Sequence, residues 1–521
     1  MNSGLYLGYN QQALRDADDT SKKSRSSIAP KPVLLLGLDG MRPDVMQAAI
    51  RDGEAPTLGF LAKRGEAVWD AVSVFPSVTP AATAAIVTGA PPGESGIAGW
   101  AWYDREEGRM VVYGAKRETV VSTGPLKVFH NNVWRMNRDD LCAPTLFETL
   151  HEHGIDGACV NFLVRRGPHE HPVRLKSVIG VANRSRLLDT SIQGPKEFYM
   201  GDLFYSRDTG LHGRGGIGGL GRSVGIHDEY AAKVGVMLLE EKATPFTLVY
   251  FFKGDALAHR RGLAAQREYV ATLDRYVASM VEAAGGLEKA IEEYAILVLS
   301  DHGHTPLLPG KRRYIELGRI LGGGVSTGAR ARFWLRTKVV AVPNGRSALL
   351  YLAEGVDREK VVSRVFSHRG VDLASWWEDG WGVVRRRDRE LRFRPAASGA
   401  RDGAGRAWEL SGDPGTVDLV VMDSAIRYGE YPDALERLWG CVRSPRSGEV
   451  VLSAAPGYTF GEVSGTFHDA SDHGSLHASD SNVFVIASGV AAPRRITDVV
   501  PTLLAHFGAT PGAEVAERRA P

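Results

Sequence analysis

Four short stretches combine acids, imidazoles and a hydroxyl at spacings that suit cation-assisted chemistry on an anion. In Ser300-Asp301-His302-Gly303-His304 a carboxylate and an imidazole leave the end of an apolar run together, and the glycine permits a sharp turn. Asp and His are good zinc ligands; the plainer alternative is a pair that caps the next segment. In Asp255-Ala256-Leu257-Ala258-His259 the aspartate again closes an apolar run. A helix starting there sets Asp255 and His259 at i and i+4 on one side, where they could close on one cation; otherwise they are a helix-start aspartate and a surface histidine. In Phe75-Pro76-Ser77-Val78-Thr79-Pro80 the proline suits a first helical turn and 81–87 is a good helix, which predicts Thr79 at the N-cap. As a cap it needs no further role. As a nucleophile it would share the helix N-terminus with an anion such as phosphate, and a metal at its hydroxyl would lower its pKa. The fourth stretch, Asp469-Ala470-Ser471-Asp472-His473-Gly474-Ser475, lies in a region crowded with His468, His473 and His477; His473, just before the last apolar run, is the candidate ligand.

With Asp39, which ends the first apolar run, the set becomes Asp39, Asp255, His259, Asp301, His302 and His473 beside the Thr79 hydroxyl. Six such ligands can hold two tetrahedral Zn2+ ions, with Mn2+ and other divalent metals as alternatives, and leave positions for substrate oxygens. Two metals about 4 Å apart clamp the attacking and leaving sides of an in-line phosphoryl displacement.

The elements that must position these residues are short continuous apolar runs at 33–38, 158–162, 246–252, 295–300 and 483–486, separated by helical patterns such as 43–50, 264–282 and 497–507. Such runs read as parallel strands buried on both faces, and the alternation predicts an α/β fold with a mainly parallel central sheet flanked by helices. Ligands in such sheets sit beyond the carboxyl ends of the strands, where Asp39, Asn161, Asp255 and Asp301-His302 fall. We expect a polar, disordered tail over 1–30, a catalytic body over 31–335 and 450–521 with a substrate-side insertion at 90–245, and a small inserted α+β cap at 336–449. The cap carries strand-like runs at 348–352 and 417–421, a helical stretch at 358–367, and a Gly/Ala/Ser-rich loop at 396–405 that is expected to be mobile.

Lys plus Arg total 63 and Asp plus Glu 61, a net charge of +2 over 521 residues, which argues against a dedicated nucleic-acid binder. Three cysteines, Cys142, Cys159 and Cys441, are too few for a disulfide framework. No apolar run approaches a membrane span, and the first thirty residues have no apolar signal-peptide region, so the expectation is a soluble cytoplasmic protein.

The stretches GLDGMRPD (37–44), FPSVTPAATAAIVTGAPPGESGI (75–97), GDALAHRRG (254–262), LSDHGHTP (299–306) and DHGSLHASDSNVFVIASG (472–489) resemble, in order and spacing, the alkaline phosphatase superfamily, and most of all its type I phosphodiesterase/nucleotide pyrophosphatase family. The resemblance implies an alkaline-phosphatase-like fold and a small-molecule phosphate-ester substrate; the charge balance and the lack of a long apolar run lead us to expect no nucleic-acid scaffold and no membrane partner. It implies two zinc sites, one of Asp39, Thr79, Asp301 and His302 and one of Asp255, His259 and His473. It also implies a phosphothreonyl intermediate at Thr79. Many members carry an asparagine three residues after the nucleophile; here that position is Ala82. Asn161 could take its place, with Arg165 or Arg166 nearby as substrate contacts or as a solvated basic turn. Trp100, with Trp102 and Tyr103, could stack on a flat substrate group or belong to the core.

Gly213-Arg214-Gly215-Gly216-Ile217-Gly218 spells a dinucleotide fingerprint but follows a polar stretch, so it reads as a loop. The runner-up activity is a phosphomonoesterase, which needs extra positive charge for a dianionic group. A sulfatase lacks its Cys/Ser-x-Pro-x-Arg signature here, and a metal-dependent phosphomutase would use a serine. A rival of another class is a non-catalytic homologue that binds a phosphorylated ligand.

Overall fold

The strand Val33–Leu38 (VLLLGL) buries every residue, so it must be covered on both faces. In the computed structural model it lies at the middle of an eight-stranded sheet ordered Glu66–Val72, Asn482–Ser488, Ala295–Ser300, Val33–Leu38, Phe246–Phe251, Gly157–Val160, Glu197–Met200 and Phe204–Tyr205. The five from Ala295–Ser300 to Glu197–Met200 pair in parallel. Asn482–Ser488 runs antiparallel between Ala295–Ser300 and Glu66–Val72. The sheet is therefore mainly parallel, with one reversed strand set inside it. The structure describes residues 29–114, 120–121, 123–174, 190–211, 226–327, 331–333, 337–461 and 470–510. The glycine-rich 213–218 stretch, His468 and nearly all of the 1–30 tail lie outside them.

Alternate residues of each strand feed opposite faces. Leu34, Leu36 and Leu38 join Ile296, Val298, Val249 and Phe251 under the helices Pro43–Arg51, Pro56–Arg64, Asp228–Glu240 and Leu263–Ala283. Val33 and Leu35 join Leu248, Leu297 and Leu299 against Thr79–Thr88, Leu146–Glu152 and Val499–Phe507. All ten residues of Thr79–Thr88 are buried, which its run of alanines and threonines allows at close approach to the sheet.

A second sheet of ten strands is built from Val325–Thr327, Val339–Asn344, Ser347–Leu352, Val450–Ala454, Val371–Glu378, Trp381–Arg386, Arg389–Arg401, Ala425–Tyr428 and Leu419–Met422, with Ala407–Gly412 paired to Arg389–Arg401. Of the 396–405 stretch, expected as a mobile loop, residues 396–401 complete the strand Arg389–Arg401 and 402–405 form the turn into the next strand. The small residues of the stretch lie in a register shift between Pro395 and Ala400, after which Ala400 and Arg401 pair again with Trp408 and Ala407. The hairpin Val339–Asn344/Ser347–Leu352 turns through Gly345-Arg346. Gly345 has φ +66, and a side chain there would meet the His473 carbonyl oxygen at 2.5 Å. The tip of the second sheet thus rests directly on the backbone of a candidate ligand.

Residues from Pro32 onward form one compact unit. Among the described residues no helix is long and apolar enough to cross a membrane, and the three cysteines are unpaired.

Candidate active site

Three carboxylates reach one edge because parallel strands end there. Asp39 follows Leu38, Asp301 follows Ser300, and Asp255 lies in the first turn of the helix Lys253–Arg261 that follows Phe246–Phe251. Asp472 and His473 precede their strand, yet they arrive at the same edge because Asn482–Ser488 is the reversed strand. Gly40 has φ +62, and a Cβ there would lie 2.7 Å from His304 Nε2 and 3.0 Å from Asp255. Glycine at 40 is what lets the turn after Asp39 pass so close. Gln266, fully buried, donates to the carbonyls of Gly40 and Gly254, tying the Asp39 turn to the Asp255 turn. Asp228 accepts from the backbone N–H groups of Phe252 and Lys253 and steadies the same segment.

Asp301 is fully buried and held on both oxygens. Oδ1 accepts from the N–H groups of Gly40 and His302 at 2.9 Å, and Oδ2 accepts from the Tyr250 hydroxyl at 3.0 Å. The imidazoles share one arrangement. Nδ1 of His302 donates to Gly303 O at 3.0 Å, Nδ1 of His473 to Ser77 O at 2.8 Å, and Nδ1 of His259 to Ser471 O at 3.0 Å. His304 Nδ1 lies 3.2 Å from Ser471 Oγ, whose own proton goes to Ala258 O. A carbonyl only accepts, so Nδ1 carries the proton, and the neutral ring presents the Nε2 lone pair.

Those Nε2 atoms converge on carboxylates. His302 Nε2 is 3.4 Å from Asp39 Oδ1, 3.5 Å from Asp301 Oδ2 and 3.2 Å from Thr79 Oγ1. Asp255 Oδ1 receives His304 Nε2 at 2.9 Å, His259 Nε2 at 3.4 Å and His473 Nε2 at 3.5 Å. Lone pairs facing carboxylate oxygens in a buried site need positive charge between them. At two of the rings protons supply it poorly: burial, with neighbouring His302, holds His473 well below the ordinary histidine range, and burial lowers His304 as well. Burial opposes the charge on His302 too, but Asp301 and Asp39 override it and raise that ring to about 10. Burial, reinforced by Asp301 and Asp255, pushes Asp39 well above the carboxylate range, and its Oδ1 accepts no hydrogen bond although it is sealed from solvent. A buried oxygen without a donor, beside imidazole lone pairs, fits a metal cation. The groups whose ligand atoms come together are Asp39, Asp301 and His302; Asp255, His302, His304 and His473; and His259, Asp472 and His473.

All seven ligand and nucleophile candidates are thus linked in one continuous cluster. Two further residues, His304 and Asp472, belong to it and were not picked out from the sequence. The signal for His304 was its place two residues after His302, across Gly303; for Asp472 it was the repeat of Asp-His-Gly at 301–303 and 472–474. Thr79 is not the N-cap. Val78 holds that position with extended backbone, and Thr79 is the first helical residue, its side chain making no capping bond. Its hydroxyl therefore remains at His302.

Arg165 and Arg166 are both engaged by neighbouring groups. Arg165 is buried, donates to the carbonyls of Val133 and Leu163 and lies over the Phe198 ring. Arg166 pairs with Glu148 at 2.8 Å and donates to Leu141 O and Ala143 O. Both fasten the 163–166 loop to the segment before it. Trp100 is half-buried against Gly114, while Trp102 donates to Tyr113 Oη and Tyr103 packs on Phe333 and Tyr351, as core aromatics do. Asn161 stands at the carboxyl end of Gly157–Val160 in left-handed backbone, φ 57. Its Nδ2 donates to His227 O at 3.3 Å, and its buried Oδ1 has no partner.

A mainly parallel sheet with acid–imidazole pairs and a helix-start hydroxyl at one edge is an arrangement that could hold metal ions beside a nucleophile, as hydrolysis of a phosphoric ester requires. The family model for type I phosphodiesterase / nucleotide pyrophosphatase matches residues 33–480, and the chain belongs to that family. No curated protein sequence matches it. Among solved structures, murine ectonucleotide pyrophosphatase / phosphodiesterase 5 is 14% identical, with 92% of this chain and 96% of that chain covered at a TM-score of 0.56. An inactive variant of that murine protein, in complex with AMP, is 13% identical with the same coverage and TM-score. Phosphonoacetate hydrolase from Sinorhizobium meliloti 1021, in complex with phosphonoformate, is 19% identical over 92% of this chain and 96% of that chain, at a TM-score of 0.55. At these identities the likeness is one of fold.

Proposed function

We propose that this enzyme cleaves phosphodiester or pyrophosphate bonds in nucleotides or related small molecules, with Thr79 as nucleophile. The observation that carries the reading is the Thr79 hydroxyl, free of capping duty, 3.2 Å from His302 Nε2 within a cluster of inward-facing imidazoles and carboxylates. Asp39, Asp301, His302 and the Thr79 hydroxyl would hold one Zn2+, and Asp255, His259 and His473 the other, with His304 orienting Asp255. Such ions, when bound, supply Lewis-acid stabilisation of charge on the attacking and leaving oxygens.

The protein's own part is positioning. Thr79 Oγ1 gives up its proton to solvent and attacks phosphorus in line, the leaving oxygen departs with the bond's electron pair and is protonated by water, and a second water hydrolyses the phosphothreonine, its oxygen staying on phosphorus and a proton returning to Thr79 Oγ1. Helix Thr79–Thr88 begins its ladder with Ala82 N–H donating to Val78 O, and Pro80 has no N–H. The amides of Thr79 and Ala81 are the donors left at this end, suited to a phosphate oxygen. They offer an anion site where Ala82 replaces the family's asparagine, and Asn161 is the side-chain candidate for the same task.

Arg165 and Arg166 are engaged elsewhere, so neither supplies the extra charge a monoester dianion requires; this favours the diester over the monoester. Metal-loaded protein assayed on bis-p-nitrophenyl phosphate and p-nitrophenyl phosphate side by side tests the preference. Faster diester turnover is expected. Faster monoester turnover would overturn it, and turnover of neither would support a binding protein.

A further inference from the structure

We propose that His151, Asp156 and His169 form a separate divalent-cation site, away from the cluster around Thr79. The three come from different elements: His151 from the last turn of the helix Leu146–Glu152, Asp156 from the residue before the strand Gly157–Val160, and His169 from the start of the strand His169–Pro172. His151 Nδ1 lies 3.2 Å from Asp156 Oδ1, and His169 Nε2 lies 3.8 Å from the same oxygen. The three ligand atoms lie within 4.8 Å of one another, with the two rings edge to face at 5.1 Å. Ligands around one zinc ion at about 2.1 Å stand roughly 3.4 Å apart, close to the 3.2 and 3.8 Å at which the two rings meet the shared Asp156 oxygen.

A second observation points the same way. His169 Nε2 is shielded from solvent and makes no hydrogen bond. A shielded ring nitrogen without a partner, aimed at a carboxylate that a second imidazole already faces, is a poor arrangement for a merely solvated surface cluster. Lys196 Nζ sits 2.7 Å from Asp156 Oδ2, so it keeps the carboxylate ionised while leaving Oδ1 to the histidines.

The site is at the amino end of Gly157–Val160, whereas Asn161 and the catalytic edge are at its carboxyl end. Two imidazoles and one carboxylate select zinc, cobalt or nickel over magnesium or calcium, and leave a fourth position for water. Bound there, an ion clips a helix end to two strands, and its effect falls on stability, not on turnover.

The test is equilibrium dialysis of the holoenzyme against Zn2+, followed by elemental analysis. The wild-type chain is expected to hold one zinc more than the His151→Ala/His169→Ala double variant, with diester turnover equal in both and added Zn2+ raising Tm only in the wild type. Asp156→Asn alone should weaken this ion at least roughly tenfold. Equal zinc content in wild type and double variant, or an extra ion that survives the double substitution, overturns the proposal.

Discussion

The imidazole rings of His302 and His473 lie stacked, centroids 3.7 Å apart and planes 13° from parallel. They come from two copies of Asp-His-Gly, and in each the histidine N–H donates to the preceding aspartate at 2.9 Å. The shared local turn aims two rings side by side, one toward Asp39 and Asp301, the other toward Asp255. A pair of equivalent ring edges over separate carboxylates is what the proposed two-ion arrangement requires.

Removing the Thr79 hydroxyl should stop turnover and leave the fold intact. Thr79→Ala deletes no capping bond, so Tm should stay near wild type while kcat falls on the order of 10⁴-fold or more; Thr79→Ser should recover part of the rate. Steady-state kinetics on bis-p-nitrophenyl phosphate with a parallel melt decides it, and nearly full activity in Thr79→Ala would contradict the nucleophile.

Metal content should track the ligands individually. Asp301→Asn and His259→Ala are each expected to lower zinc stoichiometry by elemental analysis. His304→Ala, which removes the 2.9 Å contact to Asp255 Oδ1, should weaken zinc roughly 10–100-fold with a smaller change in the fold. Unchanged affinity in His304→Ala would make that residue a spectator.

Arg346 is the strut between the second sheet and the site. Fully buried, its guanidinium donates to both oxygens of Asp480 at 2.7 Å and to Tyr458 O, while its N–H donates to His473 O at 2.7 Å. Asp480 in turn accepts from Ser475 N–H, and its carbonyl accepts from Gly303 N–H. Arg346→Met strands the Asp480 charge and should cost about 3–5 kcal/mol in denaturant unfolding, with weaker zinc binding; adding Asp480→Leu should return part of the stability.

Stripped of metal, the protein should be most stable in a window set by its histidines. His302 is raised from 6.5 to about 10 in the fold, so its stabilisation is complete below pH 6.5 and is lost as pH rises through about 10. His473 and His304 are lowered, so the unfolded chain gains protons that they do not, and stability falls as pH drops below about 6.5. Tm of chelator-treated protein should peak between these limits, and metal loading should flatten the alkaline limb. A chelated protein whose Tm is constant from pH 7 to above 10 would count against the charged His302.

What could be read along the chain was local. Asp39, Asp255 and Asp301 announce themselves because each ends or closely follows an apolar run, and a buried parallel strand delivers its next polar residue to the carboxyl edge. Tertiary structure decided the rest. Gly40 N–H donates to Asp301 across 261 positions, a contact no spacing encodes. The reversal of Asn482–Ser488 is what turns a histidine before a strand into a neighbour of those after the others. His304 enters the site only because Gly40 lets the Asp39 turn pass it, and Arg165, which reads along the chain as a basic turn, is buried against the carbonyls of Val133 and Leu163. Periodicity reports which side of an element is apolar; which polar groups then meet depends on how separate elements pack, and that is settled by the whole chain at once.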